Sequence, residues 1–155
     1  MIQHELQIIL QQLGNHLKDL EGIINRTSEE KLCYKPDPNR WSPKEVLGHL
    51  FDVELVFNYR LRKIIEEDVP TIHSFSQNIW VEEQQYNEWD TAILLNALIY
   101  LRRNLTFWLS RVRENDWERS ANHPKRGRVT FKSTVELLAS HFEHHLMQIK
   151  DRVKQ

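Results

Sequence analysis

Four stretches of this chain set apolar residues three and four positions apart, the spacing that lines one face of an α-helix, and nothing else in the sequence constrains the fold as strongly. The first, Ile2 to about Arg26, repeats Leu6, Ile9, Leu13, Leu17, Leu20 and Ile24 and breaks before Thr27. The second opens at Ser42-Pro43-Lys44-Glu45: Ser42 can cap a first-turn amide, Pro43 fits the first helical position, and Glu45 completes a capping box. It runs to about Glu67 with Val46, Leu50, Val53, Phe57, Leu61 and Ile64 as its stripe. Asp90 caps the third, Thr91 to Arg113, whose broad face carries Ile93, Leu94, Ala97, Leu98, Leu101, Leu105, Trp108 and Leu109. The fourth opens near Thr130 or Ser133 (Ser133 with Glu136 reads as a second capping box) and continues to about Val153. The expected fold is all-α: a four-helix bundle with a long connection between helices 2 and 3, forming a single domain over residues 1–155.

The joints agree with that reading. Only four Gly and five Pro occur, and Pro36, Pro38, Pro70 and Pro124 fall between the periodic segments. Lys35-Pro36-Asp37-Pro38 reads as a turn-rich connection and Asn122 to Gly127 as a loop. Asp68 to Trp89 is irregular and aromatic, with Phe75, Trp80, Tyr86 and Trp89, and a short helix is expected within Asn78 to Tyr86. A connection this long is uncommon in a compact domain; it either covers a site or is pinned to the bundle by its aromatics.

Several function classes fall away on composition. Twenty-one Lys plus Arg against 22 Asp plus Glu gives a net charge of −1, without the basic excess or basic helix face of a nucleic-acid binder. No run of about 18 apolar residues is present to span a membrane, and the opening MIQHELQIILQQL lacks the basic start and continuous apolar core of a signal peptide. Cys33 is the sole cysteine, so no intramolecular disulfide forms, and a reducing, cytoplasmic setting is expected. Cys33 has no basic cluster in its neighbourhood and reads as inert.

The eight histidines carry the functional signal. On the fourth segment Phe131, Val135, Leu138, Phe142 and Ile149 define the buried stripe. At about 100° per residue His145 falls inside it, within about 20° of Leu138, while His141 sits one turn earlier at its shoulder and His144 points away. Two imidazoles four residues apart project from one helix face and can share a metal ion. Buried among Leu and Phe, each must find a partner, and one shared cation satisfies both. His49 lies on the flank of the second stripe, early in its helix. Glu54 lies on that stripe and is expected to support a ligand, to be a fourth ligand, or to pair with an Arg. Asp52 and Glu143 are placed on outer faces, and His4, His16 and His73 at the surface. His123 is read as a loop residue, and Arg102 and Arg103 as partners of carboxylates.

Arg40-Trp41-Ser42-Pro43-Lys44-Glu45-Val46-Leu47-Gly48-His49-Leu50 resembles the start of the second helix in the DinB-like (DinB/YfiT-type) metal-binding four-helix-bundle superfamily. Val129-Thr130-Phe131, Glu136-Leu137-Leu138 and His141-Phe142-Glu143-His144-His145-Leu146-Met147-Gln148-Ile149 resemble its last helix, and the likeness covers nearly the whole chain. The resemblance implies that one His of helix 2 joins two of helix 4 on a divalent metal, which here means His49, His141 and His145. Periodicity alone gives the pair on the fourth helix; the resemblance is what brings His49 beside them.

Three neutral imidazoles leave at least one coordination position open, the pattern of a catalytic metal. The expected cofactor is a divalent transition metal, with imidazole suiting Zn and Ni as well as Cu and Fe. The resemblance implies a metal-dependent hydrolase or a thiol-dependent S-transferase, the latter with a low-molecular-weight thiol, acting on a small-molecule substrate. The competing expectation is a non-catalytic metal-binding or structural bundle, stress-associated. The family's association with DNA damage suggests a nucleic-acid partner, against which the near-neutral charge counts. Neither nucleic acid nor membrane is expected as a partner. The broad face around Trp108 points to a homodimer.

Overall fold

The structure, a computed structural model, describes residues 2–154. The chain forms α1 (Ile2–Arg26), α2 (Glu29–Cys33), α3 (Pro43–Glu66), α4 (Gln77–Gln84), α5 (Thr91–Leu109), the strands β1 (Ser120–His123) and β2 (Gly127–Thr130), and α6 (Phe131–Val153). Single 3-10 turns at Tyr86–Glu88 and Glu114–Glu118 complete it. The long helices α1, α3, α5 and α6 make the four-helix bundle.

The starts of α3, α5 and α6 are fixed locally. At α3 the Ser42 side chain accepts from the Glu45 amide while the Glu45 carboxylate accepts from the Ser42 amide, with Pro43 at the first position. Thr130 caps α6 reciprocally with Ser133, so Ser133 serves as the third residue of a box and does not open one with Glu136. Asp90 caps α5, which stops at Leu109, a turn short of the expected Arg113, where the chain tightens into a 3-10 turn.

Both α1 and α3 pack on α5 and on α6, so the order around the bundle is α1–α5–α3–α6. Ion pairs Glu5–Lys132 and Asp19–Lys150 run α1 parallel to α6. The Arg152 guanidinium donates to the Trp41 carbonyl at one end; at the other Arg119, whose carbonyl accepts from the Phe131 amide at the start of α6, donates to the Ile64 carbonyl, so α3 is antiparallel to α6. Glu54 meets Arg102 and Arg62 meets Asn104, which makes α3 parallel to α5. Two parallel helices in succession require the chain to return the length of the bundle, and this explains the long connection between them. On the way back Tyr86, fully buried, plugs into the core beside Trp89 (ring centroids 5.3 Å).

The core has two lobes, one around Leu47, Leu50, Tyr86 and Phe142, the other around Phe57, Leu61, Phe131 and Leu138. All named stripe residues of α3 and α6 are buried. On α5 the buried face is Leu94, Leu95, Leu98, Ile99, Arg102, Leu105 and Leu109, while Ile93 is 64% exposed, a correction to the expected stripe. Trp108 is half-buried against Phe131 (5.7 Å, edge-on), and the exposed large hydrophobic residues of α5 are Ile93, Tyr100 and Phe107. The expected loop at Asn122–Gly127 is the tip of a hairpin, β1 and β2 pairing antiparallel from Ser120↔Thr130 to His123↔Gly127. Gly127 supplies the positive φ of +71° that the three-residue turn needs. Backbone bonds from Asn122 to the Pro70 carbonyl and from Ile72 to the Asn122 carbonyl, both 2.8 Å, lash the long connection to this hairpin. Among the described residues no helix is long and apolar enough to cross a membrane.

Candidate metal centre

Because α3 and α6 run antiparallel and share register from Trp41–Arg152 to Ile64–Arg119, the second turn of α3 faces the later half of α6. His49 thereby meets His141 and His145. One nitrogen of each lies within 4.8 Å of the others. His141 Nε2 is 3.1 Å from His145 Nε2 and 3.4 Å from His49 Nε2. His49 is fully buried and capped by the Trp41 ring at 4.9 Å, His145 is buried and His141 half-buried.

The fit to a cation follows from proton counting. Gln148 Oε1 lies 2.7 Å from His145 Nδ1, a contact that holds a proton on Nδ1 and turns the bare Nε2 toward the other two rings. His141 Nε2 has a single site, proton or lone pair, and cannot form a hydrogen bond with both neighbours. One of its two close contacts is therefore unfavourable unless something positive sits between the rings. A divalent ion accepts all three lone pairs at once. Burial, and then the neighbouring imidazoles, push His49 down to about 3 and His141 to about 4; His145 is lowered too, chiefly by burial. At neutral pH all three are uncharged, the form a metal requires. The Nδ1 atoms of His49 and His141 are buried with no hydrogen-bond partner among the described residues, so only His145 has its orientation held from behind.

The remaining candidates separate cleanly. His144 is exposed and outside the cluster, as its helical angle requires. Glu54 is fully buried in a two-pronged pair with Arg102 (Nε to Oε1 2.8 Å, Nη2 to Oε2 2.7 Å), and Arg102 also donates to the Leu13 carbonyl. Of its three open roles the ion pair stands, and Glu54 is no ligand. Glu143 is exposed, as are His4 and His73. Asp52 corrects the expectation: it is 3% exposed and accepts a 2.5 Å bond from the Tyr86 hydroxyl, because the returning connection covers the face of α3 that helix geometry alone leaves outward. Burial pushes its carboxyl up to about 6, against the opposing effect of that bond. His16 is also corrected; it is half-buried, stacked on Phe142 at 6.1 Å, and lowered by burial. The Cys33 thiol is raised by burial, consistent with an inert residue.

Sequence reasoning missed Gln148, three residues after His145 and within reach by ordinary helix spacing. It missed the cavity of about 220 Å³ onto which His49 and His141 open. Arg60 and the hairpin residues His123, Lys125 and Arg126 also line that cavity. His123, read as a loop residue, ends β1 and turns its Nδ1 to the amides of Lys125 and Arg126 at 3.1 and 3.2 Å.

Comparison with known proteins gives the chain a family and a fold. The model of the DinB superfamily matches residues 12–149. Two proteins of Oceanobacillus iheyensis, each provisionally named a metal-dependent hydrolase, are 26% identical to the chain. One alignment covers 96% of this chain and 88% of the relative, the other 91% and 81%. Among solved structures, YfiT from Bacillus subtilis superposes with a TM-score of 0.90 at 20% identity over 97% of this chain and 87% of its own. That protein is described, again provisionally, as a metal-dependent hydrolase with an unusual four-helix bundle topology.

Proposed function

The chain belongs to the DinB superfamily, and we propose that it is a metal-dependent enzyme acting on a small molecule. In this reading His49, His141 and His145 hold one divalent transition-metal ion, such as Zn or Ni. The observation that carries it is the convergence of three Nε2 atoms that cannot all be satisfied by protons, beside a cavity onto which His49 and His141 open. A bound divalent ion supplies Lewis acidity there, lowering the pKa of a coordinated water or thiol toward neutrality.

The chain's own residues do the rest. Gln148 fixes the His145 tautomer, and Trp41 shields His49 from water. His123, with Nδ1 already accepting from two amides, keeps its proton on Nε2 and brings a donor to the cavity wall. Among the described residues no carboxylate lines the cavity, so the reaction relies on the ion and on imidazole for proton handling. The names of the relatives favour hydrolysis. Transfer of a low-molecular-weight thiol to an electrophile uses the same open position, and thiol-dependent turnover distinguishes it.

Element-resolved metal analysis tests the reading. About one ion per chain is expected in the wild type. His145→Ala is expected to lose it, and Gln148→Ala to weaken retention by about 10- to 100-fold. Unchanged metal content in His145→Ala refutes the site. If stripping the ion lowers the melting temperature but an activity found with model esters or thiol acceptors persists, the metal is structural.

A further inference from the structure

The cavity beside the histidines has an uneven charge. Arg60, Lys125 and Arg126 contribute three cationic side chains to its wall, and the described lining holds no Asp or Glu, in a chain whose acidic residues outnumber its basic ones by 22 to 21. Lys125 and Arg126 are exposed at the hairpin turn. Arg60 is 9% exposed, and its partners are incomplete. Nη2 donates to the His73 carbonyl at 2.8 Å, while Nε is buried without any hydrogen bond. Among the described residues no carboxylate comes within ion-pair distance of it. The contrast with Arg102 is direct: that buried guanidinium has Glu54 on two prongs.

A buried guanidinium without a counter-charge is expensive, because it gives up hydration and receives little in return. Its planar face is partly compensated by the Phe57 and Phe75 rings, 5.3 and 6.0 Å from Cζ. The rings take only the faces and the His73 carbonyl only Nη2, so among the described residues Nε and Nη1 keep donors without partners, and such donors are what a carboxylate or phosphate takes. The same lining carries Val53, Ile72, Val129 and Leu137, an apolar surface beside the cations and the histidines. Arg60 also borders a larger cleft of about 680 Å³, but there Glu67 pairs with Lys63 and Arg60 is the one cation in excess, against three in the smaller cavity.

We propose that this cavity binds a small organic anion, an apolar body bearing a carboxylate or phosphate, with Arg60 gripping the anionic group and Lys125 and Arg126 drawing it in. This rests on the metal reading above, since it makes the anion the substrate presented to His49 and His141. The arrangement leaves the anionic end on the Arg60 side and the reacting bond toward the histidines. Specificity then comes from charge at one end and apolar fit along the body.

Calorimetric titration with benzoate, phenyl phosphate and uncharged benzamide tests it, on metal-free and metal-loaded protein alike. At least one anion is expected to bind about tenfold or more tightly than benzamide, since a charge-assisted forked pair is about twice as strong as a neutral one. The preferred anion identifies carboxylate or phosphate as the group recognised. The preference is expected to persist without metal, to fall about tenfold in Arg60→Met, and to fall about two- to threefold in Arg126→Gln with a weaker salt dependence. Arg60→Lys, which keeps the charge but loses the fork, is expected to fall between wild type and Arg60→Met. Should Arg60→Met unfold, Arg60→Lys and the exposed Arg126→Gln carry the same comparison.

Equal affinity for all three probes, no binding of either anion, or anion binding indifferent to both Arg60 variants overturns the proposal. Metal content measured on the same samples keeps the two readings apart. Arg60-dependent anion binding in a protein that takes up no metal refutes the metal reading alone. A metal-loaded protein whose anion binding ignores Arg60 refutes the anion site alone.

Discussion

Replacing Gly48 by Ala adds one methyl group at the tightest joint of the molecule. Gly48 lies in the second turn of α3 against the ring of Tyr86, and a Cβ there would overlap Cγ and Cδ2 and stand 2.5 Å from Cε2. Unstrained carbons sit about 3.5–4.0 Å apart, so the ring must retreat by more than an ångström in order of magnitude. Tyr86 is fully buried and has nowhere to go without lifting the returning connection off α3. Overpacking of this kind costs about 1–3 kcal/mol. Pulling the hydroxyl from Asp52 adds about 1–3 kcal/mol, since the carboxyl is buried and its other oxygen already lacks a partner. Against this, Ala is favoured over Gly in a helix by about 1 kcal/mol. The net is a loss of about 1–5 kcal/mol, or about 2–20 °C in melting temperature at this chain length. Urea unfolding followed by circular dichroism measures it. In a Tyr86→Ala background the clash is gone, and Gly48→Ala is expected to be neutral or stabilising by up to about 1 kcal/mol. A Gly48→Ala protein as stable as wild type, or an undiminished penalty in the Tyr86→Ala background, refutes the account.

Two further perturbations probe the buried charges. Glu54→Gln leaves the Arg102 guanidinium buried without its counter-charge and is expected to cost about 3–5 kcal/mol in chemical unfolding, whereas the double variant Glu54→Leu with Arg102→Met recovers most of it. A single variant as stable as wild type contradicts the pairing. Asp52 has its carboxyl raised from 3.8 to about 6 on folding, so the native state favours the protonated form; the stability this contributes is full below the usual carboxylate range and lost as pH rises through about 6. The Asp52→Asn protein is therefore expected to gain on wild type with rising pH, by about 3 kcal/mol between roughly pH 4 and 8, and a difference that does not vary with pH excludes the effect.

The two histidines on α6 were legible because their relation is internal to one helix: four residues fix the angle between them, and the Phe and Leu neighbours fix which way that angle points. His49 was not legible in the same way. Its angle on α3 follows from sequence, but its neighbour depends on which helices are adjacent and in which direction they run, and periodicity carries neither. Asp52 failed for a related reason. Three residues beyond His49, it lies away from the main stripe, and in a simple bundle it would meet water; the third layer that buries it comes from Tyr86, 34 positions on. The α5 stripe failed differently. Its buried face includes Arg102, and a count of apolar residues passes over the one charged residue that belongs inside, so the best-fitting stripe rotates toward Ile93, which solvent covers. The hairpin's four-residue strands are too short for an alternation to register against a helix-rich background.

What holds the three imidazoles in register is therefore not the apolar pattern that revealed two of them. A slide of α3 by one turn would exchange Leu50 for Val46 or Phe57 for Val53 against their neighbours, at a cost that core repacking absorbs in part. The same slide would part Glu54 from Arg102, which is fully buried and bound on both prongs, and leave two charges without partners, at several kcal/mol. It would also carry Gly48 off the Tyr86 ring and bring a residue with a Cβ under it. Both constraints lie within a turn and a half of His49, one toward α5 and one toward the returning connection. α6 is fixed to α3 separately, by Arg152 at the Trp41 carbonyl and by Arg119, which is bonded to the first residue of α6 through the Phe131 amide, at the Ile64 carbonyl. The candidate ligands are thus set by polar contacts that a hydrophobic count reads as exceptions, and those exceptions locate His49 against His141 and His145 to within the few ångströms that sharing one ion demands.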